Sequence, residues 1–271
     1  MLSKNQHSPE LDLNCFLHSF ENSKPFYFVR FSDGEMEIIH NRFLEISEVG
    51  TYFNGKLNDY FYDPLDYKKF DPSVNQNFRE DLIESAKYIA SNYIKGIPTS
   101  HNEQIADRDF LISLNNNSEH NLTFSDLFLN SNYLNFRKGI EKYLDKVENG
   151  FVISNFRSNL SGPLKKFQHL KIPDNIFSDY QIYLEDFLQV LENIPPGSVI
   201  LSSASSFTNI IGTHLHKKRD DIFFIDIGTS LNDYLGLKMN SRLYHCLVDK
   251  SFLGRIKAWK YKRTKNFLMK W

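Results

Sequence analysis

Pro25-Phe26-Tyr27-Phe28-Val29-Arg30-Phe31-Ser32-Asp33-Gly34-Glu35 is the stretch on which the reading of the fold turns. Phe26 to Phe31 is a short run rich in aromatic and β-branched side chains, which predicts a buried strand. Ser32-Asp33-Gly34 is turn chemistry, and Glu35 to Arg42 resumes a helix-compatible pattern, so Asp33 and Glu35 fall at a strand-to-helix junction.

Outward from this junction the same alternation repeats. Leu11 to Asn22 carries a mostly helical apolar stripe. Residues 43 to 74, rich in Tyr, Asp and Pro, read as irregular. A long helix is expected over Asn77 to Tyr93, stopped by Gly96, with further helices over Ser125 to Leu129, Tyr133 to Val147, Tyr180 to Leu191 and Phe207 to Lys217. Phe151 to Ile153, Ser198 to Leu201 and Ile222 to Ile227 read as strands. Apolar strands alternating with amphipathic helices predict a Rossmann-like α/β fold, a mostly parallel sheet flanked by helices. In such sheets ligands gather beyond the carboxyl ends of the strands, where Asp33, Ser202 to Ser206 and Asp226 are expected.

At 271 residues and 41% hydrophobic the chain can bury one large core. Its polar first ten residues lack a signal-peptide pattern and no stretch approaches a spanning helix, so a cytoplasmic protein is expected. Cys15 and Cys246 show no metal or redox spacing and read as small buried apolar residues. Net charge is −1, but Lys250 to Trp271 holds eight basic residues and no acidic one, which leaves residues 1 to 249 at −9. That acidic body argues against a nucleic-acid binder. The chain therefore divides into a body, 1 to 249, and a basic amphipathic tail, 250 to 271, whose Phe, Leu, Ile and Trp suit an anionic membrane surface. A peripheral position on the inner face of the cell membrane follows as an expectation.

Chemistry is expected first at Asp33 and Glu35. The intervening glycine is expected to let both carboxylates converge on one Mn²⁺ or Mg²⁺, completed by water and substrate phosphate. Arg30, three residues earlier, offers a planar fork for a phosphate or a carboxylate. Ser203, Ser205 and Ser206 precede a helix and can present amides and hydroxyls to a phosphate, and Arg157, just past a strand, is a second phosphate or sugar contact. His214 and His216, two apart on a helix, face different directions and make no zinc pair. The chain has no P-loop, no Gly-x-Ser-x-Gly elbow and no Gly-x-Gly-x-x-Gly after a strand.

Arg30-Phe31-Ser32-Asp33-Gly34-Glu35 resembles the Arg-Phe-Gly-Asp-Gly-Glu signature of bacterial GT-D-type glycosyltransferases, and about 190 residues later the strand ending Asp226-Ile227-Gly228 matches their second motif. The resemblance implies that Asp33 and Glu35 bind metal and a nucleotide-sugar diphosphate, a UDP-sugar being favoured, with Arg30 and Ser32 beside it. It implies sugar transfer to a hydroxyl of a glycan or lipid-linked acceptor, a bacterial cell-surface glycan or glycoconjugate precursor. Asp226 is then the residue that positions sugar hydroxyls or acts as general base. Two departures stand out: Ser32 replaces a glycine, and Thr229 to Tyr234 replaces a histidine and further acids, with Asp233 as the displaced acid. Two other readings stay open: a metal-dependent phosphatase or nucleotidyltransferase, and a non-enzymatic membrane-bound adaptor.

Overall fold

The computed structural model describes residues 7–47, 50–53, 56–58, 67–99, 105–237, 243–249 and 251–263. Seven strands form one parallel sheet: β1 (Tyr27–Arg30), β6 (Tyr93–Ile97), β7 (Leu122–Phe124), β8 (Gly150–Asn155), β9 (Gln168–Ile172), β10 (Val199–Ser203) and β11 (Phe223–Asp226). Their order is β7-β6-β1-β11-β10-β8-β9. The chain runs outward from β1 to β7, then crosses to the other half, so β1 and β11 meet where the winding reverses. The Rossmann-like expectation is borne out. The strands β1, β8, β10 and β11 are buried almost throughout, which is why they read as continuous apolar runs, whereas the edge strand β9 exposes Gln168 and Lys171.

Helices cover both faces. On one, α2 (Asp33–Ile39), α3 (Gln76–Lys87), α6 (Tyr180–Leu191) and α7 (Phe207–His216) close a core around Tyr27, Val29, Ile200 and Phe224. On the other, α1 (Pro9–Glu21) and α5 (Tyr133–Leu144) pack over Phe28, Val152, Leu201 and Ile225. The alternation of Tyr27 and Phe28 between these cores is the two-residue period of a strand.

Several expectations are corrected. Residues 43 to 74 are not simply irregular. β2 (Leu44–Ser47), β3 (Gly50–Phe53), β4 (Lys56–Asn58) and β5 (Lys68–Phe70) form a small antiparallel sheet in the order β4-β3-β2-β5. Strands of three or four residues are too short to show a period. The helix expected over Asn77 to Tyr93 ends at Lys87, and Tyr93 opens β6, because its apolar stripe continues across the turn into a strand on the same core. Gly96 is no helix stop: it lies inside β6, where a Cβ would come 2.9 Å from the Phe124 carbonyl. Residues 125 to 129 form turns, and β7, β9 and α4 (Ile105–Leu114) carry no signal read above. Cys15 is exposed, on the outer side of α1 from Leu13, Phe16 and Phe20, and Cys246 is partly buried; both are free thiols.

The C-terminal segment begins as α8 (Phe252–Arg263), and residues 264 to 271 lie outside the described residues. Among the described residues no helix is long and apolar enough to cross a membrane.

Candidate active site

The site forms where β1 and β11 end side by side. Phe28 is in register with Ile225, which brings Arg30 at the end of one strand beside Asp226 at the end of the other. Arg30 Nη2 donates to Asp226 Oδ1 at 3.1 Å, and Nη1 donates to the Ser125 carbonyl at 3.2 Å. The same Asp226 oxygen accepts the Gly228 amide at 2.9 Å. Both side chains are largely buried. Burial pulls the Arg30 pKa down, but Asp226 beside it, with smaller contributions from Glu35 and Tyr244, reverses this and holds it above its ordinary value. Burial pushes the Asp226 carboxyl up, against Arg30 and the Gly228 amide.

Gly228 is required at its position. Its φ of +45° is left-handed, and a Cβ there would fall 2.0 Å from Arg30 Nη2. Only a bare backbone lets the chain turn over the guanidinium.

Asp33 and Glu35 are the first and third residues of α2, with Ser32 as N-cap. Glu35 reaches back, its Oε2 accepting from the Ser32 amide at 3.0 Å and from Ser32 Oγ at 2.8 Å. This capping box fixes the start of the helix. Asp33 is exposed and its Oδ1 accepts the Gly34 amide at 3.0 Å. The tight-turn role expected for Gly34 is corrected: it lies within the first helical turn, without a positive φ and with nothing within 4 Å of an added Cβ. Burial raises the Glu35 pKa, and the charges on Asp226 and Asp33 raise it further against the bonds from Ser32. Asp33, Glu35 and Asp226 thus share one electrostatic neighbourhood.

Whether a divalent ion suits this neighbourhood turns on its donors. Among the described residues no three His, Cys, Asp or Glu side chains form a metal cage. Asp33 keeps an exposed carboxylate, and Glu35 keeps Oε1 outside the capping box. Two hard oxygen donors fit Mg²⁺ or Mn²⁺, which bind through one or two carboxylates with water and substrate phosphate supplying the rest.

The remaining candidates separate. Ser203 Oγ donates to the Gly228 carbonyl at 2.8 Å, tying the end of β10 to the same turn. Ser205 has a left-handed φ of +52° and Ser206 is the N-cap of α7, but neither caps with its side chain; Thr208 Oγ1 accepts the Ala204 amide at 3.2 Å instead. Arg157, past the end of β8, pairs with Asp174 and lies over the Phe156 ring. Asp233 turns to another partner: both its oxygens accept from Arg137 at 2.8 Å, in a cluster with Glu141 and Tyr234.

The structure adds Asn209, which no sequence pattern singled out. Fully buried on α7, it donates from Nδ2 to the Arg30 carbonyl at 2.8 Å, while its Oδ1 has no hydrogen-bond partner. Arg30 Nε is likewise buried without a partner. Two orphaned polar atoms beside the Arg30–Asp226 pair mark a place for a ligand or bound water.

No family model and no curated protein matches the sequence. Its fold, however, is similar to that of solved structures. A glycosyltransferase of domain of unknown function 1792 from Streptococcus sanguinis is 16% identical with a TM-score of 0.52, covering 82% of this chain and 81% of that one. A structure of the same domain, described as having a distinct glycosyltransferase fold, is 14% identical with a TM-score of 0.51, covering 82% of this chain and 78% of that one. This chain shares that fold.

Proposed function

We propose that the chain is a glycosyltransferase that moves a sugar from a nucleoside-diphosphate donor, a UDP-sugar by preference, to a hydroxyl of a glycan or glycoconjugate precursor. The observation that carries the reading is the Arg30–Asp226 pair at the reversal point of the sheet, beside Asp33 and Glu35. The site offers a fixed cation, two carboxylates suited to a divalent ion, and a buried carboxylate between strand ends. Its fold is shared with glycosyltransferases.

In this reading Asp33 and Glu35 hold Mn²⁺ or Mg²⁺, and the bound ion supplies charge neutralisation to the departing diphosphate. Arg30 adds a cation that its two hydrogen bonds hold in place before substrate arrives, so little reorganisation is needed as charge develops. Asp226 orients an acceptor or sugar hydroxyl, or takes its proton, through the oxygen that Arg30 does not use. The Ser203 and Gly228 contact keeps the β10 end closed against this group.

The test joins products to metal dependence. Incubation with nucleotide sugars and Mn²⁺ is expected to release intact nucleoside diphosphate; release of sugar 1-phosphate with nucleoside monophosphate instead places the chain among metal-dependent phosphoryl- or nucleotidyl-group enzymes. In thermal shift, a nucleoside diphosphate with Mn²⁺ at ~100 times its dissociation constant stabilises by about 2.7 kcal/mol. Asp33→Asn and Glu35→Gln are expected to lose the Mn²⁺-dependent part. Glu35→Gln retains a side chain that can complete the capping box, so its metal-free fold persists. Variants that respond to Mn²⁺ as the parent does would remove the metal assignment.

A further inference from the structure

Helix α8 is built inside out for an ordinary surface helix. Gly254, Ala258 and Tyr261, spaced four and three residues apart, form its most covered side, and the helix packs on the 3-10 turn Leu243–Leu247. The opposite side carries Phe252, Ile256 and Trp259 at the same spacing, with exposures of 78, 40 and 55%. Leu253, 67% exposed, widens this stripe. Arg255 borders it on one flank and Lys257 and Lys260 on the other, all exposed. Single exposed apolar side chains are commonplace, but four within eight residues, aligned and rimmed by cations, are a built surface.

We propose that this face docks on an anionic lipid surface, with α8 lying in the interface plane. Phe, Ile and Trp enter the boundary between headgroups and acyl chains, while Arg and Lys stay at the level of the phosphates. The charge distribution selects this occupant. The 22 residues from Lys250 carry eight cations and no anion, against a body of −9, so an anionic surface repels the body and attracts this segment alone. An acidic protein would satisfy the cations but leave the aromatic stripe uncovered.

The docking surface is tied to the candidate site. In the turn beneath α8 the Tyr244 and Thr229 hydroxyls bond to each other, and His245 Nε2 donates to the Thr229 carbonyl at 3.0 Å. Thr229 follows Gly228 directly. A membrane that holds α8 is therefore coupled through one turn to the carboxyl ends of β1 and β11. The docking surface rests on the exposed face of α8 and the charge of the C-terminal segment, and does not require sugar transfer.

The test uses the full chain carrying Trp271→Phe, which leaves Trp259 as its one tryptophan. Vesicles of phosphatidylcholine with about one third phosphatidylglycerol are expected to shift Trp259 emission to the blue and to co-sediment the protein, with added salt weakening both. Each of Arg255→Gln, Lys257→Gln and Lys260→Gln should weaken binding by about fivefold, and Phe252→Ser with Ile256→Ser by at least tenfold. Melting temperatures should not move, since these side chains are exposed. Unchanged emission, equal binding to pure phosphatidylcholine, or full binding by the Phe252→Ser, Ile256→Ser variant overturns the proposal. So does a concentration-dependent dimer that this variant abolishes while vesicles bind neither protein, since the face would then belong to a second copy.

Discussion

Arg30→Met is expected to destabilise the protein by about 3–5 kcal/mol and to lower kcat/KM for the proposed sugar transfer by roughly 10²–10³. The stability loss does not come from the worth of an ion pair, which is small once desolvation is counted. It comes from what remains: Asp226 buried at the end of β11, with the Gly228 amide but no cation. The Ser125 carbonyl also loses its donor. A double-mutant cycle separates this cause from simple loss of packing. If the stranded carboxylate is responsible, Asp226→Asn in the Arg30→Met background restores much of the stability, and the two changes are non-additive by more than 1 kcal/mol. Additive effects, or a loss below about 1 kcal/mol for Arg30→Met, would show that the pair is neither strained nor central. Arg30→Lys is expected to recover stability better than activity, because an ammonium keeps the charge but not the fork that spans Asp226 and Ser125.

That pair could not be read from the sequence, although each member could. The apolar strands before Arg30 and Asp226, and the turn residues after them, were visible as patterns, and the alternation with helices fixed the parallel sheet. Which strands become neighbours is a long-range matter, and 196 residues separate the partners. Gly228 was legible as part of a motif, but its reason, the guanidinium beneath it, was not. Glu35 is legible as an acid near Asp33, and its return to Ser32 follows the Ser-x-x-Glu spacing of a capping box. Asn209 sits mid-helix with no pattern around it, and only its orphaned oxygen draws notice. The small antiparallel sheet stayed hidden because its strands are shorter than any period they could display.

Lys95 was hidden by the opposite means, a charged residue inside a strand that is otherwise core. It lies in β6 between Tyr93 and Ile97, 2% exposed, with its ammonium donating to the Ala86 carbonyl at 2.6 Å and the Tyr88 carbonyl at 3.0 Å. The end of α3 thus gains a cap on its last carbonyls, favourable for a cation at a helix C-terminus. Among the described residues no acidic side chain bonds to Lys95, and burial pushes its pKa down to about 7. Its unfolded value is about 10.4, so between the two the unfolded chain binds more protons and stability must rise with pH, by up to roughly 1.4 kcal/mol per unit. Below pH 7 both states are protonated and the cost of the buried charge is felt in full. Lys95→Met removes the titration and leaves two carbonyls unpaired. Urea midpoints across the range are therefore expected to show the parent gaining on the variant by about 3 kcal/mol from pH 7 to 9.5. Comparison at each pH cancels the buried tyrosines, such as Tyr27 and Tyr93, whose pKa values burial raises and which lower stability only as free tyrosines ionise near pH 10. Parallel curves would mean that Lys95 keeps its proton in the fold, and that the carbonyls at the end of α3 hold it as a cation.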